Sequence, residues 1–203
     1  MKVRRFVAMG DSFTAGTEPG GPRWPDDVAR LLDGSEYVNL ARARARSDEV
    51  VAEQLPRALA LRPDLVSLIC GANDVLLTTR PDLDGFAATF SDALALLRGE
   101  LPAAHLVTAT YPEVSAHFPL RPRSRRRVAR GMSRVNRAIR EAAQRHGAVC
   151  LDFADHPERG ERANFAEDGF HPSPNGHRKA AAAFVLALRE QLGVHLAPEE
   201  AMT

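Results

Sequence analysis

The chain is poor in lysine and cysteine and has no long apolar run. Lys2 and Lys179 are its only lysines among 27 basic residues, a bias typical of a GC-rich genome that says little about mechanism. The two cysteines lie in separate apolar runs, which predicts reduced core thiols rather than a disulfide framework. No stretch approaches the roughly 18 uninterrupted apolar residues of a membrane span. The apolar residues near the amino terminus end at Gly10, too early for an export segment. We therefore expect a cytoplasmic protein that does not act at a membrane.

The length and charge of the chain narrow its class further. Its 203 residues predict a single domain over 1–203, with 193–203 as a frayed tail. A net charge of +1 does not indicate nucleic acid as a partner. The arginines between 121 and 130 have no interleaved aromatic residues, which favours a solvated helical face over an anion-binding surface. A monomer is the default expectation, and the oligomeric state stays open.

Apolar runs and amphipathic segments alternate along the chain. The runs predict strands over 4–9, 37–41, 65–70, 105–111 and 148–153. The segments predict helices over 24–32, 47–61, 83–101 and 124–145, a last helix ending at Leu192, and Ser47 as the cap of the second of them. Residues 18–22 read as a flexible connection. This alternation predicts an α/β protein with one parallel sheet covered by helices on both faces.

Three polar clusters fall at strand ends or just before a helix, where such sheets bind ligands. They are Gly10-Asp11-Ser12, Gly71-Ala72-Asn73-Asp74 and Asp168-Gly169-Phe170-His171. Each cluster alone is weak evidence, because Gly, Asp and Ser are also common turn residues. Together they hold one candidate for each part of a nucleophilic acyl transfer.

The chemistry needs a nucleophile, a base and donors for an oxyanion. Ser12 is the candidate nucleophile and His171 the base that takes its proton. Asp168, three residues before His171, could fix the imidazole tautomer and stabilise its charged form. The side-chain amide of Asn73 and the backbone N–H of Ser12 are candidate oxyanion donors.

These three clusters resemble blocks of the SGNH hydrolases, also called GDSL-type esterases and lipases. Their order, spacing and strand context agree with that family over nearly the whole chain. The resemblance implies a flavodoxin-like three-layer α/β/α fold with a five-stranded parallel sheet in the order 2-1-3-4-5. It also implies a Ser12-His171-Asp168 triad, Asn73 as an oxyanion donor, and no metal or cofactor.

At the remaining sequence block of the family, this chain departs from the family's pattern. Relatives have a glycine a few residues after a segment similar to Asn39-Leu40-Ala41, and its backbone N–H joins the oxyanion hole. The matching position here is Arg44, and no glycine occurs between Gly34 and Gly71. Glycine permits φ > 0 and close approach of substrate. Either Arg44 presents its N–H normally and directs its guanidinium to an anionic substrate group, or the hole is remodelled.

Three functions therefore stay open. The first is a serine hydrolase that cleaves an ester, thioester or similar acyl bond of a small molecule. The second is an acyltransferase or cyclase of small-molecule biosynthesis, motivated by Arg44 and the lack of an export signal. The third is a non-catalytic binding protein that retains the fold.

Several conspicuous residues have structural explanations. Asp11 and Asp74 are expected to hold loop N–H groups, as short Asp side chains often do. Trp24 is expected to be a core anchor and His177 a surface or capping residue. The other histidines have no metal-ligand spacing with each other or with cysteine.

Overall fold

Five parallel strands form one sheet at the centre of the protein. The computed structural model describes residues 2–17, 21–112 and 117–197, so much of the predicted connection at 18–22 lies outside the described residues. The strands are β1 (Arg5–Gly10), β2 (Glu36–Asn39), β3 (Leu65–Ile69), β4 (His105–Ala109) and β5 (Val149–Leu151). Their order is β2-β1-β3-β4-β5, and every adjacent pair is parallel. The predicted fold class is confirmed.

Helices cover the sheet on two sides. They are α1 (Ser12–Ala15), α2 (Trp24–Leu31), α3 (Ser47–Glu49), α4 (Leu55–Leu61), α5 (Ala72–Leu76), α6 (Leu83–Glu100), α7 (Pro122–His146) and α8 (Pro174–Glu190). Parallel crossovers are right-handed. The connection from β1 to β2 runs along the sheet in the opposite direction to the later ones, so α2 lies on the opposite face from α6 and α7. The last helix, α8, packs against α2, and α6 packs against α7.

Local chemistry accounts for where these elements form and end. All five residues of β3 are buried, as expected for a central parallel strand covered on both faces. The Asp82 side chain accepts a hydrogen bond from the N–H of Gly85 and caps α6. Ser173 caps α8 in the same way, with Pro174 at its first position. Gly147 ends α7 with a left-handed φ of 62°. No helix in the described ranges is long and apolar enough to cross a membrane.

The structure corrects some boundaries. Short helices, α1 and α5, follow β1 and β3 where sequence indicated only polar loops. Ser47 is the first residue of α3 rather than its cap, and its hydroxyl donates to Asp74 at 2.6 Å. In the segment predicted as a frayed tail, Val194 is buried and the Ala197 N–H donates to the carbonyl oxygen of Leu31. Residues 198–203 lie outside the described residues. Cys70 and Cys150 are both free thiols.

The end of β1 leaves no room for a side chain. Gly10 has φ 151°, and a Cβ placed there would lie 2.1 Å from the carbonyl oxygen of Ile69 on β3. That oxygen belongs to backbone, which cannot move aside as the tip of a flexible side chain could. The contact therefore requires glycine at this position.

We expect Gly10→Ala to destabilise the protein by about 3 kcal/mol or more, because the new methyl group forces β1 and β3 apart. The measurement is the free energy of urea unfolding. Gly99→Ala is the matched control, since Gly99 lies in α6 with nothing within 4 Å of the added Cβ. That change should stabilise the protein by up to about 1 kcal/mol. Equal effects from the two substitutions would contradict this explanation.

Candidate active site

Ser12 lies two residues after the end of β1, at the first position of α1. The side chain of Asp11 caps this helix by accepting a hydrogen bond from the Phe13 N–H at 3.0 Å. Asp11 therefore holds a loop N–H, as expected from its residue type. Ser12 is buried, with 3% of its surface exposed. Its backbone N–H forms no hydrogen bond with any described residue, as expected at the start of a helix.

Three sequence-predicted side chains meet in one hydrogen-bonded chain. The Nε2 atom of His171 lies 3.0 Å from the Oγ of Ser12. The Nδ1 atom of the same ring lies 2.5 Å from Oδ2 of Asp168. With a proton on Nδ1, the lone pair of Nε2 faces the serine hydroxyl. This arrangement can transfer the hydroxyl proton to the imidazole.

Asp168 is held by its own turn. Its Oδ1 accepts hydrogen bonds from the backbone N–H groups of Phe170 at 2.8 Å and His171 at 3.0 Å. Partial burial by itself would raise the pKa of Asp168, but the hydrogen bonds from the His171 side chain and these two N–H groups outweigh it and lower the pKa. Asp168 is therefore ionised at neutral pH and oriented toward Nδ1.

The loop after β2 lies against both β1 and Asn73. The Arg42 N–H donates to the carbonyl oxygen of Gly10 at 3.2 Å, and Nδ2 of Asn73 donates to the carbonyl oxygen of Ala45 at 2.9 Å. Because β1 and β3 are neighbours and end together, Asn73 lies at the same edge of the sheet as Ser12. Arg44 lies between the two points where this loop is attached.

Arg44 adopts the backbone conformation of a glycine. The Ala45 N–H donates to the carbonyl oxygen of Arg42 at 3.2 Å, which closes a β-turn with Arg44 at its third position. The φ of Arg44 is 66°, a left-handed value that type II turns require at this position and that glycine usually provides. The Arg44 N–H has no hydrogen-bond partner among the described residues. The loop therefore keeps a glycine-like path despite the arginine.

Gln54, which no sequence pattern indicated, fixes the end of β1. Its Oε1 accepts from the Gly10 N–H at 2.8 Å, and its Nε2 donates to the Gly10 carbonyl oxygen at 2.9 Å. Gln54 closes a π-helical turn, Val50–Gln54, between α3 and α4. Such turns occur often near functional sites. The apolar pattern of residues 47–61 did not indicate that the side-chain amide of Gln54 faces inward.

A buried acid, Asp11, lies next to Ser12. Oδ2 of Asp11 accepts a hydrogen bond from the Tyr111 hydroxyl at 3.0 Å, and both residues are at most 1% exposed. Burial raises the pKa of Asp11 to about 7, although the hydrogen bonds from Phe13 and Tyr111 oppose the shift. Burial also raises the pKa of Tyr111, so its hydroxyl keeps its proton and donates to the carboxyl.

The remaining predicted residues have structural roles. Trp24 is a core residue, as expected, and its Nε1–H donates to the Phe13 carbonyl oxygen at 3.0 Å. Asp74 accepts from the Ser47 N–H, also as expected. The expectation for His177 was wrong, because α8 packs on α2 and buries the ring, where Nδ1 accepts from the Trp24 N–H at 3.3 Å. Within the described ranges, no group of three or more His, Cys, Asp or Glu side chains could hold a metal ion.

An apolar cavity of about 130 Å³ lies beside this site. Its wall includes Phe13 and Phe170, the residues next to Ser12 and His171 in the chain. Both rings also contact the imidazole of His171, with centroid distances of 6.2 Å from Phe13 and 4.6 Å from Phe170. Helix α8 also contributes to the wall, where Ala183 borders the cavity. A cavity of this size and polarity accommodates a group about as large as benzene.

Comparison with a family of known proteins agrees with the resemblance seen in the sequence. Residues 8–179 match the model of the GDSL-like lipase/acylhydrolase family. The match includes all five candidate residues, Ser12, Arg44, Asn73, Asp168 and His171. No curated protein matches the chain in sequence.

Solved structures share the fold at low sequence identity. A lipase/acylhydrolase from Enterococcus faecalis aligns with a TM-score of 0.70 and 22% identity, over 97% of this chain and 98% of its own. A lipolytic G-D-S-L family protein from Veillonella parvula aligns with a TM-score of 0.73 and 17% identity, over 92% and 98%. A catalytic mutant of the acetylxylan esterase Axe2 from Geobacillus stearothermophilus aligns with a TM-score of 0.72 and 23% identity, over 94% and 96%.

We expect Asp11→Asn to stabilise the protein increasingly as the pH rises. The pKa of Asp11 is raised from 3.8 to about 7 in the folded state, so the unfolded chain releases this proton at lower pH. The stabilisation from protonated Asp11 is complete below about pH 4 and is lost as the pH rises through about 7. The asparagine has no such titration. Urea unfolding at pH 5, 6.5 and 8 should show its advantage growing by about 2 to 4 kcal/mol.

The titration of His177 changes the stability with pH in the opposite direction to that of Asp11. Burial lowers the pKa of His177 from 6.5 to about 4, so its contribution to stability rises with pH over that interval. Because His177 is present in both proteins, the difference between them isolates Asp11. A difference that is constant from pH 5 to pH 8 would show that Asp11 has an ordinary pKa.

Proposed function

The chain belongs to the GDSL-like lipase/acylhydrolase family, and we propose that it is a serine hydrolase that cleaves an ester, thioester or similar acyl bond of a small molecule. The observation that carries the proposal is the hydrogen-bonded chain Ser12–His171–Asp168, with distances of 3.0 and 2.5 Å. Two catalytic mutants of the acetylxylan esterase Axe2 replace a histidine and a serine, the residue types at the centre of this chain.

In the proposed reaction, Ser12 Oγ attacks the acyl carbon while Nε2 of His171 takes its proton. Asp168 keeps the other imidazole proton on Nδ1 and stabilises the imidazolium. His171 then gives its proton to the departing oxygen or sulfur, which leaves an acyl-Ser12 intermediate. Water attacks this intermediate with His171 again as the base, and the acid is released as Ser12 recovers its proton.

Three donors are available for the oxyanion that forms in both steps. They are the N–H groups of Ser12 and Arg44 and the hydrogen of Asn73 Nδ2 that is not used by Ala45. A single oxyanion donor contributes about a hundred- to a thousandfold in kcat. The left-handed turn at Arg44 supports a complete hole, which argues for hydrolysis over an acyltransferase or cyclase with a remodelled hole. A non-catalytic binding protein would not require the aligned serine, histidine and aspartate.

We propose that the cavity beside Phe13 and Phe170 receives an apolar part of the acyl group. Its wall is in contact with the imidazole that carries the proton. Its volume of about 130 Å³ favours short acyl chains or one ring over long fatty acids. The substrate would therefore be a small ester rather than a long-chain lipid.

We expect Ser12→Ala to lower kcat for para-nitrophenyl butyrate by about a millionfold. It should also abolish labelling by a fluorophosphonate probe, because the nucleophile is lost. Ser67→Ala is the control: Ser67 is another buried serine, on β3, and its hydroxyl has no hydrogen-bond partner among the described residues. The Ser67→Ala variant should retain both the hydrolysis of para-nitrophenyl butyrate and the labelling by the probe. Labelling that persists in folded Ser12→Ala protein would refute the assignment of the nucleophile.

We expect Ala183→Leu to shorten the acyl chains that the enzyme accepts. The leucine fills part of the cavity, so kcat/KM for para-nitrophenyl hexanoate should fall about tenfold relative to the acetate. Ala182→Leu is the matched control, because Ala182 is exposed on the same helix and does not line the cavity. If Ala183→Leu reduces both esters equally, the cavity does not bind the acyl chain.

A further inference from the structure

The sequence run Arg42-Ala43-Arg44-Ala45-Arg46 places three cations beside the candidate oxyanion hole. Arg42 is neutralised by Glu49 at 2.8 Å and by Glu53 at 3.3 Å. Arg46 lies 3.7 Å from Asp48. The side chain of Arg44 is exposed and forms no hydrogen bond or ion pair with any described residue. Arg44 is thus the cation of this run without a counter-charge in the described part of the chain.

Arg44 also adopts a backbone conformation that is unfavourable for an arginine. A left-handed φ costs a residue with a side chain about 1 kcal/mol or more. Arg62, the other described non-glycine residue with positive φ, ends helix α4, where a left-handed residue is common. No helix ends at Arg44, and the two attachments of its loop, to Gly10 and from Asn73, keep it there. Its side chain replaces the hydrogen atom of a glycine at the edge of the substrate site.

The guanidinium can therefore reach a substrate held in the oxyanion hole. In the proposed function the Arg44 N–H is the second backbone donor of that hole, after that of Ser12, so only the length of one arginine side chain separates the scissile carbonyl from the charge. A guanidinium binds a carboxylate or phosphate through two parallel hydrogen bonds. A neutral ester has no anionic group with which the guanidinium could form such a pair of hydrogen bonds.

We infer that Arg44 selects substrates that carry a negative charge near the scissile bond, so that the protein acts on anionic esters such as half-esters of dicarboxylic acids. This inference rests on the proposed function, and it adds the substrate class. The charge could lie on the acyl group or on the alcohol, and a separate pair of substrates distinguishes these cases.

The test compares charged and neutral esters of the same shape. For the acyl side, the pair is the mono-para-nitrophenyl ester of succinic acid and its methyl ester. For the alcohol side, the pair is 4-acetoxybenzoate and its methyl ester. We expect Arg44→Gly to lower the ratio of kcat/KM for the charged to the neutral member about tenfold in one pair, since a charge-assisted hydrogen bond is lost. Any change in the oxyanion hole cancels from this ratio.

Two further variants separate the specific contact from general charge. Arg44→Lys keeps the cation and should keep part of the preference, which should weaken at high salt. Arg137→Ala removes one positive charge from the exposed face of α7, where Arg137 forms no ion pair with any described residue, and should leave the ratio unchanged. If Arg44→Gly has the same ratios as the wild type in both pairs, the inference is wrong.

A binding measurement makes the test independent of turnover. In a Ser12→Ala background, calorimetry with each charged ester should show weaker binding when Arg44 is also replaced by glycine, by about tenfold in the preferred pair. Equal dissociation constants would overturn the inference. A wild-type protein that binds the charged ester through Arg44 but hydrolyses neither member would instead refute the proposed function.

Discussion

The arrangement of this site depends on the two hydrogen bonds between the Gln54 side chain and the backbone of Gly10. At this point β1 approaches β3 so closely that a methyl group would overlap the Ile69 carbonyl oxygen. The Gln54 amide accepts from the Gly10 N–H, which would otherwise be buried without a partner, and donates to the Gly10 carbonyl oxygen, which also accepts from the Arg42 N–H. Ser12 lies two residues later in the chain, so its position follows from this contact. The side chains of Asn73, Asp168 and His171, which come from other parts of the chain, can be aligned with it only because β1 ends at a fixed place.

The electrostatics beneath Ser12 suit a reaction that develops negative charge. Asp11 is adjacent to the serine in sequence, and an ionised carboxylate there would oppose an oxyanion at short range in a medium of low dielectric constant. Burial raises its pKa to about 7, so that below this pH the carboxyl is mostly neutral. Asp168 has the opposite environment. It is partly exposed and accepts three hydrogen bonds, so it carries the negative charge at the far side of His171.

Much of this arrangement could be predicted from the sequence because it is local. Ser12 lies next to a strand, and Asp168 and His171 share one turn, so short patterns indicated both and the sheet topology brought them together. The conformation of Arg44 could not be predicted, because an arginine at φ 66° is held by contacts with Gly10 and Asn73, which are distant in sequence. Gln54 was missed for a related reason. A glutamine in an amphipathic segment usually faces solvent, and the π-helical turn that directs it inward has no recognisable composition.

The left-handed turn at position 44 also matters for protein engineering. The backbone cost of a side chain at positive φ is already present in the natural protein, because arginine bears it. Most other L-amino acids could replace Arg44 with little further backbone penalty, whereas the same change at a glycine would introduce that strain for the first time. Saturation mutagenesis at this one position can therefore vary an exposed side chain of this loop while the attachments to Gly10 and from Asn73 keep the backbone in place. The strained turn makes this edge of the site unusually open to redesign.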